Sequence, residues 1–441
     1  MAKPITYRLI ARKSWPIILA NAAVPLLGLT DTAVIGHFGR VADLGAIALG
    51  SILFSFVYWS FGFLRMSTSG FIAQAHGAND ELEVRAIFAR AALLALTIGF
   101  FLIGCQVGIE TIAFKLFTAS HGVEDIAKSY FTLRIFGAPA TLFCFVVTGT
   151  LIALGDSRRL LIMQLFLNGS NIILDLILAG FLKLGAEGIA LGTLIAEWLT
   201  AILGWYLVRR LFKARWDRKN SFWPWQLIKQ GKKFVLTLKA NVNILLRTLT
   251  IIFSFAFFTN QAALYSDEAL AANHILLQFI SFSAFFLDGY AFVTEALVGE
   301  AIGAGNSIKL RKAIVKSTNL AAVTACVLAL SIFLLGPAIT ELLTNSQEVL
   351  RIASEFIPLA ALYVLISFAA FQLDGIYIGA AYTRQMRDAA FIAVIIFLAA
   401  WWLLTPGFAM QGLWFAFILY VAARAISLLM LSSELRQQLK K

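Results

Sequence analysis

The chain is written as long, unbroken apolar runs separated by short polar turns, and most of its residues lie in the runs. Twelve runs fall near residues 14–36, 45–74, 88–108, 129–155, 158–182, 187–211, 234–258, 269–302, 313–337, 355–380, 386–404 and 409–432. Most reach the ~20 apolar residues that a helix needs to cross the hydrocarbon core of a bilayer. A transmembrane β-barrel would instead show segments of about 10 residues with alternating polarity. The pattern therefore predicts an all-α membrane protein with twelve transmembrane helices.

The pattern also repeats. Between the sixth and seventh runs, residues 212–233 are basic and carry Trp216, Trp223, Pro224 and Trp225, as expected of a cytoplasmic linker lying at the headgroup level. This linker divides the chain into an N-lobe, 1–211, and a C-lobe, 234–441, of six helices each. Sliding one half over the other gives two matches at a single offset of 226 residues: Ala73–Gly77 (AQAHG) on Gly299–Gly303 (GEAIG), and Gly149–Arg158 (GTLIALGDSR) on Gly375–Arg384 (GIYIGAAYTR). An offset of six helices keeps both lobes in the same orientation, related by an axis along the membrane normal. Such symmetry suits alternating access more than it suits an enzyme.

Composition removes the soluble classes. Hydrophobic residues make up 60% of the chain and charged ones 14%, with mean hydropathy +0.84. The net charge of +12 invites a nucleic-acid reading until its placement is considered. With a cytoplasmic N-terminus, 26 of the 36 Lys and Arg fall in internal loops and tails and 4 within helices. Only 6 are external: Arg40, Lys115, Lys128, Arg134, Lys183 and Arg351. This is the positive-inside bias, and it places both termini in the cytoplasm. The cluster from Arg209 to Lys233, with Arg210, Lys213, Arg215, Arg218, Lys219, Lys229 and Lys232 between, is read as a topology anchor that touches anionic lipid heads. The first run is too long for a signal-peptide core and lacks a cleavage pattern, so it is expected to stay as helix 1. Cys105, Cys144 and Cys326 are scattered in apolar runs and make neither a disulfide framework nor a metal site. His37, His76, His121 and His274 lack ligand spacing, and no phosphate-binding Walker motif is present.

Against this background Asp31, inside Pro25–His37 (PLLGLTDTAVIGH), stands out. An ionised Asp at mid-membrane costs roughly 2.5–3.5 kcal/mol even on insertion scales, so such a residue marks a site. Helix 5 offers Asn171 and Asp175, four apart and on one face. Helix 6 offers Thr193, with Glu197 one turn further on. At 1.5 Å per residue, Asp31 and Asp175 each lie roughly 26 Å along their helices from the cytoplasm, and Thr193 about 9 Å in from the outside. All three fall in the outer half and can meet. Two carboxylates, an amide and a hydroxyl around one point can share a proton as a coupled pair, or replace the hydration shell of a hard monovalent cation. Arg65 on helix 2, Arg247 on helix 7, and Asp288 and Glu295 on one face of helix 8 also sit at membrane depth. They either line a cavity or form buried pairs, with the two arginines on these acids. Tyr290, Tyr377 and Met66 are candidate cavity-lining side chains, whose aromatic faces would suit flat lipophilic cations.

These residues resemble a known family. PLLGLTDTAVIGH, FLRMSTSG at Phe63–Gly70, AQAHGA at Ala73–Ala78, and the LDG triplets at Leu287–Gly289 and Leu373–Gly375 are similar to the multidrug and toxic compound extrusion (MATE) family, specifically its DNA-damage-inducible protein F (DinF) branch. The resemblance covers essentially the whole chain. It implies a cation-coupled exporter with a coupling site in the N-lobe at Asp31, Asn171, Asp175 and Thr193. It also implies that protonation of the helix 1 acid is tied to bending of that helix, for which Pro16 and Pro25 supply weak points. One departure matters. Sodium-coupled relatives of the NorM branch carry a Glu on helix 7, where this chain has Lys239, Asn243 and Arg247. Asp374 matches the helix 10 acid of those relatives, and a cationic Arg247 beside it would oppose a second cation.

The expectation is a proton-coupled antiporter of the bacterial inner membrane that exports lipophilic, often cationic organic compounds. It would be no enzyme, would act as a monomer in the lipid bilayer, and would need no cofactor, metal or nucleic acid. The alternatives are a sodium-coupled exporter, with Na+ at the same four residues, and a lipid-linked precursor flippase, for which Arg65, Lys239 and Arg247 would supply a cationic cavity. A membrane prenyltransferase would need acids clustered for Mg2+ at a cytoplasmic helix end; here the acids are dispersed and deep.

Overall fold

The computed structural model describes residues 4–38, 41–116, 121–217 and 221–440; Arg40, Arg218 and Lys219 of the charge pattern lie outside them. The chain runs through α1 (Tyr7–Ala22), α2 (Val24–Phe38), α3 (Val41–Ser60), α4 (Phe63–Gly77), α5 (Glu81–Gly104), α6 (Gln106–Leu116) and α7 (His121–Arg134). A 3-10 turn, Ile135–Gly137, leads into α8 (Ala138–Ala153) and α9 (Ser157–Asp175); a π-helical segment, Leu176–Phe181, precedes α10 (Gly185–Ala214). The short α11 (Trp225–Ile228) is followed by α12 (Gly231–Ala263), α13 (Asp267–Gly303), α14 (Ser307–Leu343), α15 (Gln347–Gly379), α16 (Thr383–Met430) and α17 (Ser433–Lys440).

Among the described residues, ten helical spans are long and apolar enough to cross a membrane. The difference from twelve has two sources. Predicted helices 11 and 12 count as the single α16, which kinks where Ala409 takes a non-helical conformation three residues after Pro406. Predicted helix 1 is split at Ala23 into two helices of 16 and 15 residues. Pro16 is accommodated inside α1, and the split falls two residues before Pro25, whose ring nitrogen cannot donate back to the preceding turn. The carbonyl of Ala23 at the split is not wasted: Asn168 of α9 donates to it at 2.7 Å, and Gln164 donates in turn to Asn168 at 3.2 Å.

Contacts divide the chain into two compact units, Leu19–His76 with Asp80–Leu236, and Met1–Ile18 with Gly77–Asn79 and Thr237–Lys441. In the first, the Asp31 unit, α10 packs on α7, α8 and α9, α5 on α8, and α3 on α7. The linker is strapped to this unit. Arg90 of α5 donates to the Leu227 carbonyl at 2.8 Å and pairs with Glu83, which also takes Lys233 at 2.7 Å. Trp223 stacks on Trp205 of α10, with ring centroids 5.8 Å apart. In the second, the Asp374 unit, α15 packs on α13, α14 and α16, and Lys316 of α14 donates to the Ile5 carbonyl at 2.8 Å.

The 226-residue repeat reappears as local geometry in each half of the chain. Asn79 and its counterpart Gly305 both take positive φ (57° and 60°), as do Gly155 and its counterpart Ala381 (67° and 59°). Each closes a helix by the same hydrogen bond one residue later: Asp80 N to Ala75 O and Asn306 N to Ala301 O at 3.0 Å, Asp156 N to Leu151 O at 2.8 Å and Tyr382 N to Tyr377 O at 3.0 Å. Asp80 and Asn306 then cap the next helix through their side chains. Close helix contact repeats as well. A Cβ on Gly149 would strike the Arg65 carbonyl, and one on the counterpart Gly375 would strike that of Ala291. Only glycine lets these backbones meet.

Candidate functional site

The four residues expected to meet do meet, inside the Asp31 unit. Asp31 on α2, Asn171 and Asp175 on α9, and Thr193 on α10 are all buried. Asn171 Nδ2 donates to Thr193 Oγ1 at 3.1 Å, which fixes its amide with the oxygen free. The Asp31 and Asp175 carboxyl groups lie within hydrogen-bonding reach of each other, and Asn171 lies beside Asp175. Local structure explains how Asp175 gets there. It ends α9 where the backbone widens into the π-helical segment, a distortion common at functional sites. Its carboxyl packs against Gly192, where a Cβ would overlap Oδ1.

Oxygen atoms here outnumber donors. Asp31 Oδ1, both Asp175 carboxyl oxygens and Asn171 Oδ1 are buried without a hydrogen-bond partner. Two carboxylates in contact cannot both be ionised and unbridged without a large electrostatic cost, so this arrangement is suited to hold a proton or a small cation.

Sequence reasoning missed one neighbour of this site. Arg134, counted above as an external-loop residue, is the last residue of α7, within a membrane-length span that begins at Gly122, and is only 9% exposed. It lies inside the apolar run over 129–155, yet the polar residues just before it, Glu124, Asp125 and Lys128, set it with the external charges in the sequence pattern. Its Nη1 donates to Tyr130 OH at 2.9 Å, and its guanidinium lies 4.7 Å from the Phe54 ring centroid. It is in electrostatic range of Asp31, Asp175 and Glu197.

The other intramembrane charges are arranged differently. Arg247 of α12 pairs with Asp374 of α15, and Arg424 of α16 donates to the same carboxylate oxygen at 2.7 Å. Of the alternatives left open for Arg247, a cavity-lining role or a buried pair, the structure gives a pair, with Asp374. The sequence sets Arg247 beside Asp374 but does not single out Arg424, which reaches the same carboxylate through the packing of α16 on α15. Glu295 is fully buried on α13 and Asp288 half-buried two turns before it. Arg65 is buried on α4 in the Asp31 unit, whereas Asp288 and Glu295 belong to the Asp374 unit.

Comparison with known proteins agrees with this architecture. The pattern that defines the MatE family matches twice, over residues 16–177 and 243–403, so the two matches start 227 residues apart and end 226 apart. The chain is 31% identical over 416 residues to the DNA damage-inducible protein F of Escherichia coli K12, covering 94% of this chain and 89% of that one. It is 23% identical to the probable multidrug resistance protein NorM of Bacillus anthracis, over 94% and 92% of the two chains. Its fold superposes on a MOP superfamily transporter from Pyrococcus furiosus with a TM-score of 0.86 at 18% identity, over 99% of this chain and 97% of that one. With the family pattern present in both halves and a relative at this identity over most of both chains, the chain belongs to the MatE family of membrane transporters.

Proposed function

We propose that this transporter is a proton-coupled antiporter that exports lipophilic, often cationic organic compounds across a bacterial inner membrane, with both termini in the cytoplasm. The observation that carries the reading is the buried Asp31–Asp175 pair, whose carboxyls lie within hydrogen-bonding reach of each other, with Asp31 Oδ1 and both Asp175 oxygens unpartnered among the described residues, so that a proton on one of them would join the two. In this reading Asp31 takes up a proton from outside. Asn171 and Thr193 orient the pair, and the split at Ala23 is the point about which α2 responds. The coupling ion is the proton, no cofactor takes part, and the chain works as a monomer. Relatives named for multidrug resistance support the substrate class. Membrane potential adds about 2.3 kcal/mol per charge per 100 mV, enough to sustain a modest substrate gradient.

Sodium is the second reading, because the same unpartnered oxygens of Asp31, Asp175 and Asn171 could ligate it. A further sodium site in the Asp374 unit is disfavoured: that carboxylate already serves two guanidinium groups. The experiment is reconstitution in liposomes with an imposed proton or sodium gradient, following export of a fluorescent lipophilic cation. A proton gradient alone is expected to drive export, and Asp31→Asn to abolish it. Export driven by sodium without a pH gradient would overturn proton coupling, and undiminished export by Asp31→Asn would overturn the site.

A further inference from the structure

The aspartate pair accounts for two of the buried carboxyl groups around Arg134. The third is Glu197, four residues and so about one helical turn beyond Thr193 on α10. Its carboxyl packs so tightly on the 3-10 turn after α7 that a Cβ at Gly137 would overlap Oε2, and Oε2 has no hydrogen-bond partner. Neighbours face it from each adjoining element: Arg134 at the end of α7, Thr141 and Cys144 on α8, and Tyr58 on α3 beside Thr141. None of these is a second cation.

Among the described residues Arg134 makes no ion pair with either acidic centre, although both lie in its electrostatic range. Its guanidinium rests on Tyr130 and over Phe54, its Nε has no hydrogen-bond partner, and Asp31 and Glu197 act on it through space. One guanidinium faces three carboxyl groups. Neutrality in an interior where unpaired charge is costly therefore requires two positive charges from elsewhere. A proton shared by Asp31 and Asp175 supplies one, and Glu197 is the remaining place for the other.

We propose that Glu197 is a second proton-binding site of the Asp31 unit, and that Arg134 is the internal counter-ion through which it communicates with the Asp31–Asp175 pair. The proposal rests on the proton-coupled reading and extends it. The loaded unit carries two protons on three carboxyl groups, and Arg134 pairs with the carboxylate that remains ionised. Removing a proton from one centre draws the guanidinium towards it and so alters the proton affinity of the other. Arg134 is a positioning residue in this scheme, and Glu197 holds the proton.

The test is pH-difference infrared spectroscopy of the full-length protein in liposomes, wild type minus variant, read at the carboxylic-acid C=O stretch. Glu197→Gln is expected to remove one titrating band and leave the aspartate-pair band, with its midpoint moved by about one pH unit, tenfold in proton affinity. Arg134→Lys, which keeps the charge, should retain both bands. Arg134→Gln should displace both midpoints. If Glu197→Gln is not recovered folded, Glu197→Asp carries the same test, keeping both bands with one displaced. A Glu197→Gln spectrum identical to wild type, or midpoints insensitive to Arg134→Gln, would overturn the second site while leaving proton coupling intact. Loss of no band in Asp31→Asn, together with sodium-driven export, would overturn the underlying reading instead.

Discussion

Asp175 keeps its place beside Asp31 because the residue facing it is Gly192, and this makes a glycine part of the geometry of the proposed coupling pair. Gly192→Ala should push the Asp175 carboxyl away from its place; overpacking of this kind costs about 1–3 kcal/mol. Proton-driven export is expected to fall while the protein remains folded, as judged by its melting temperature in detergent. Asn168 is the second residue whose role was invisible in the sequence. Its amide satisfies the Ala23 carbonyl at the split between α1 and α2. Asn168→Ala leaves a buried carbonyl unpaired, at a cost of about 1–3 kcal/mol, and hydrogen exchange should show faster opening confined to the start of α2. Asp31, Asn171, Asp175 and Thr193 could be singled out beforehand because depth along a helix follows from residue count. Arg134, Asn168 and Glu197 could not be weighed in the same way, because a polar residue's partner lies on another helix.

At the scale of elements, sequence symmetry translates into shared turn geometry with unequal chemistry. Gly155 and Ala381 occupy the same left-handed turn position, yet only glycine takes it without a Cβ penalty of roughly 1–2 kcal/mol. Ala381→Gly is therefore expected to stabilise the protein by about 1 kcal/mol, seen as a higher melting temperature. The buried charges follow no such symmetry. Asp374 ties α12, α15 and α16 together through Arg247 and Arg424, and nothing equivalent occupies its counterpart position, Thr148. Asp374→Asn leaves two buried guanidinium groups without their carboxylate, and breaking such a buried pair typically costs 3–5 kcal/mol, about the largest effect foreseen for any single change here. A melting temperature equal to wild type would show that the cluster is open to water. The merged α16 and the divided first helix show the limit of apolar runs as predictors. Hydropathy marks where a chain is apolar, whereas backbone breaks depend on proline, on local φ and ψ, and on partners for freed carbonyls.

For the whole molecule, the charge pattern makes a prediction about orientation. With 26 of 36 Lys and Arg assigned to internal segments, single cysteines at either terminus should be labelled from the cytoplasmic side only, in spheroplasts and inverted vesicles compared side by side. Labelling of either terminus from outside would reverse the direction assigned to Asp31. The sequence by itself determined the class and the internal repeat, and singled out four polar residues that the structure brings together. Each of these follows from one-dimensional regularities: apolar length against bilayer thickness, a constant offset between motifs, and rise per residue along a helix. Only the tertiary structure decided which charges face one another. It set Arg134, counted among the external charges, in the acidic interior, brought Arg424 as well as Arg247 onto Asp374, and placed Glu197 in electrostatic range of the same cation as the aspartate pair. Electrostatic partnership depends on distances between helices that are far apart in sequence, and these are fixed by how small residues such as Gly137, Gly192 and Gly375 let the helices approach.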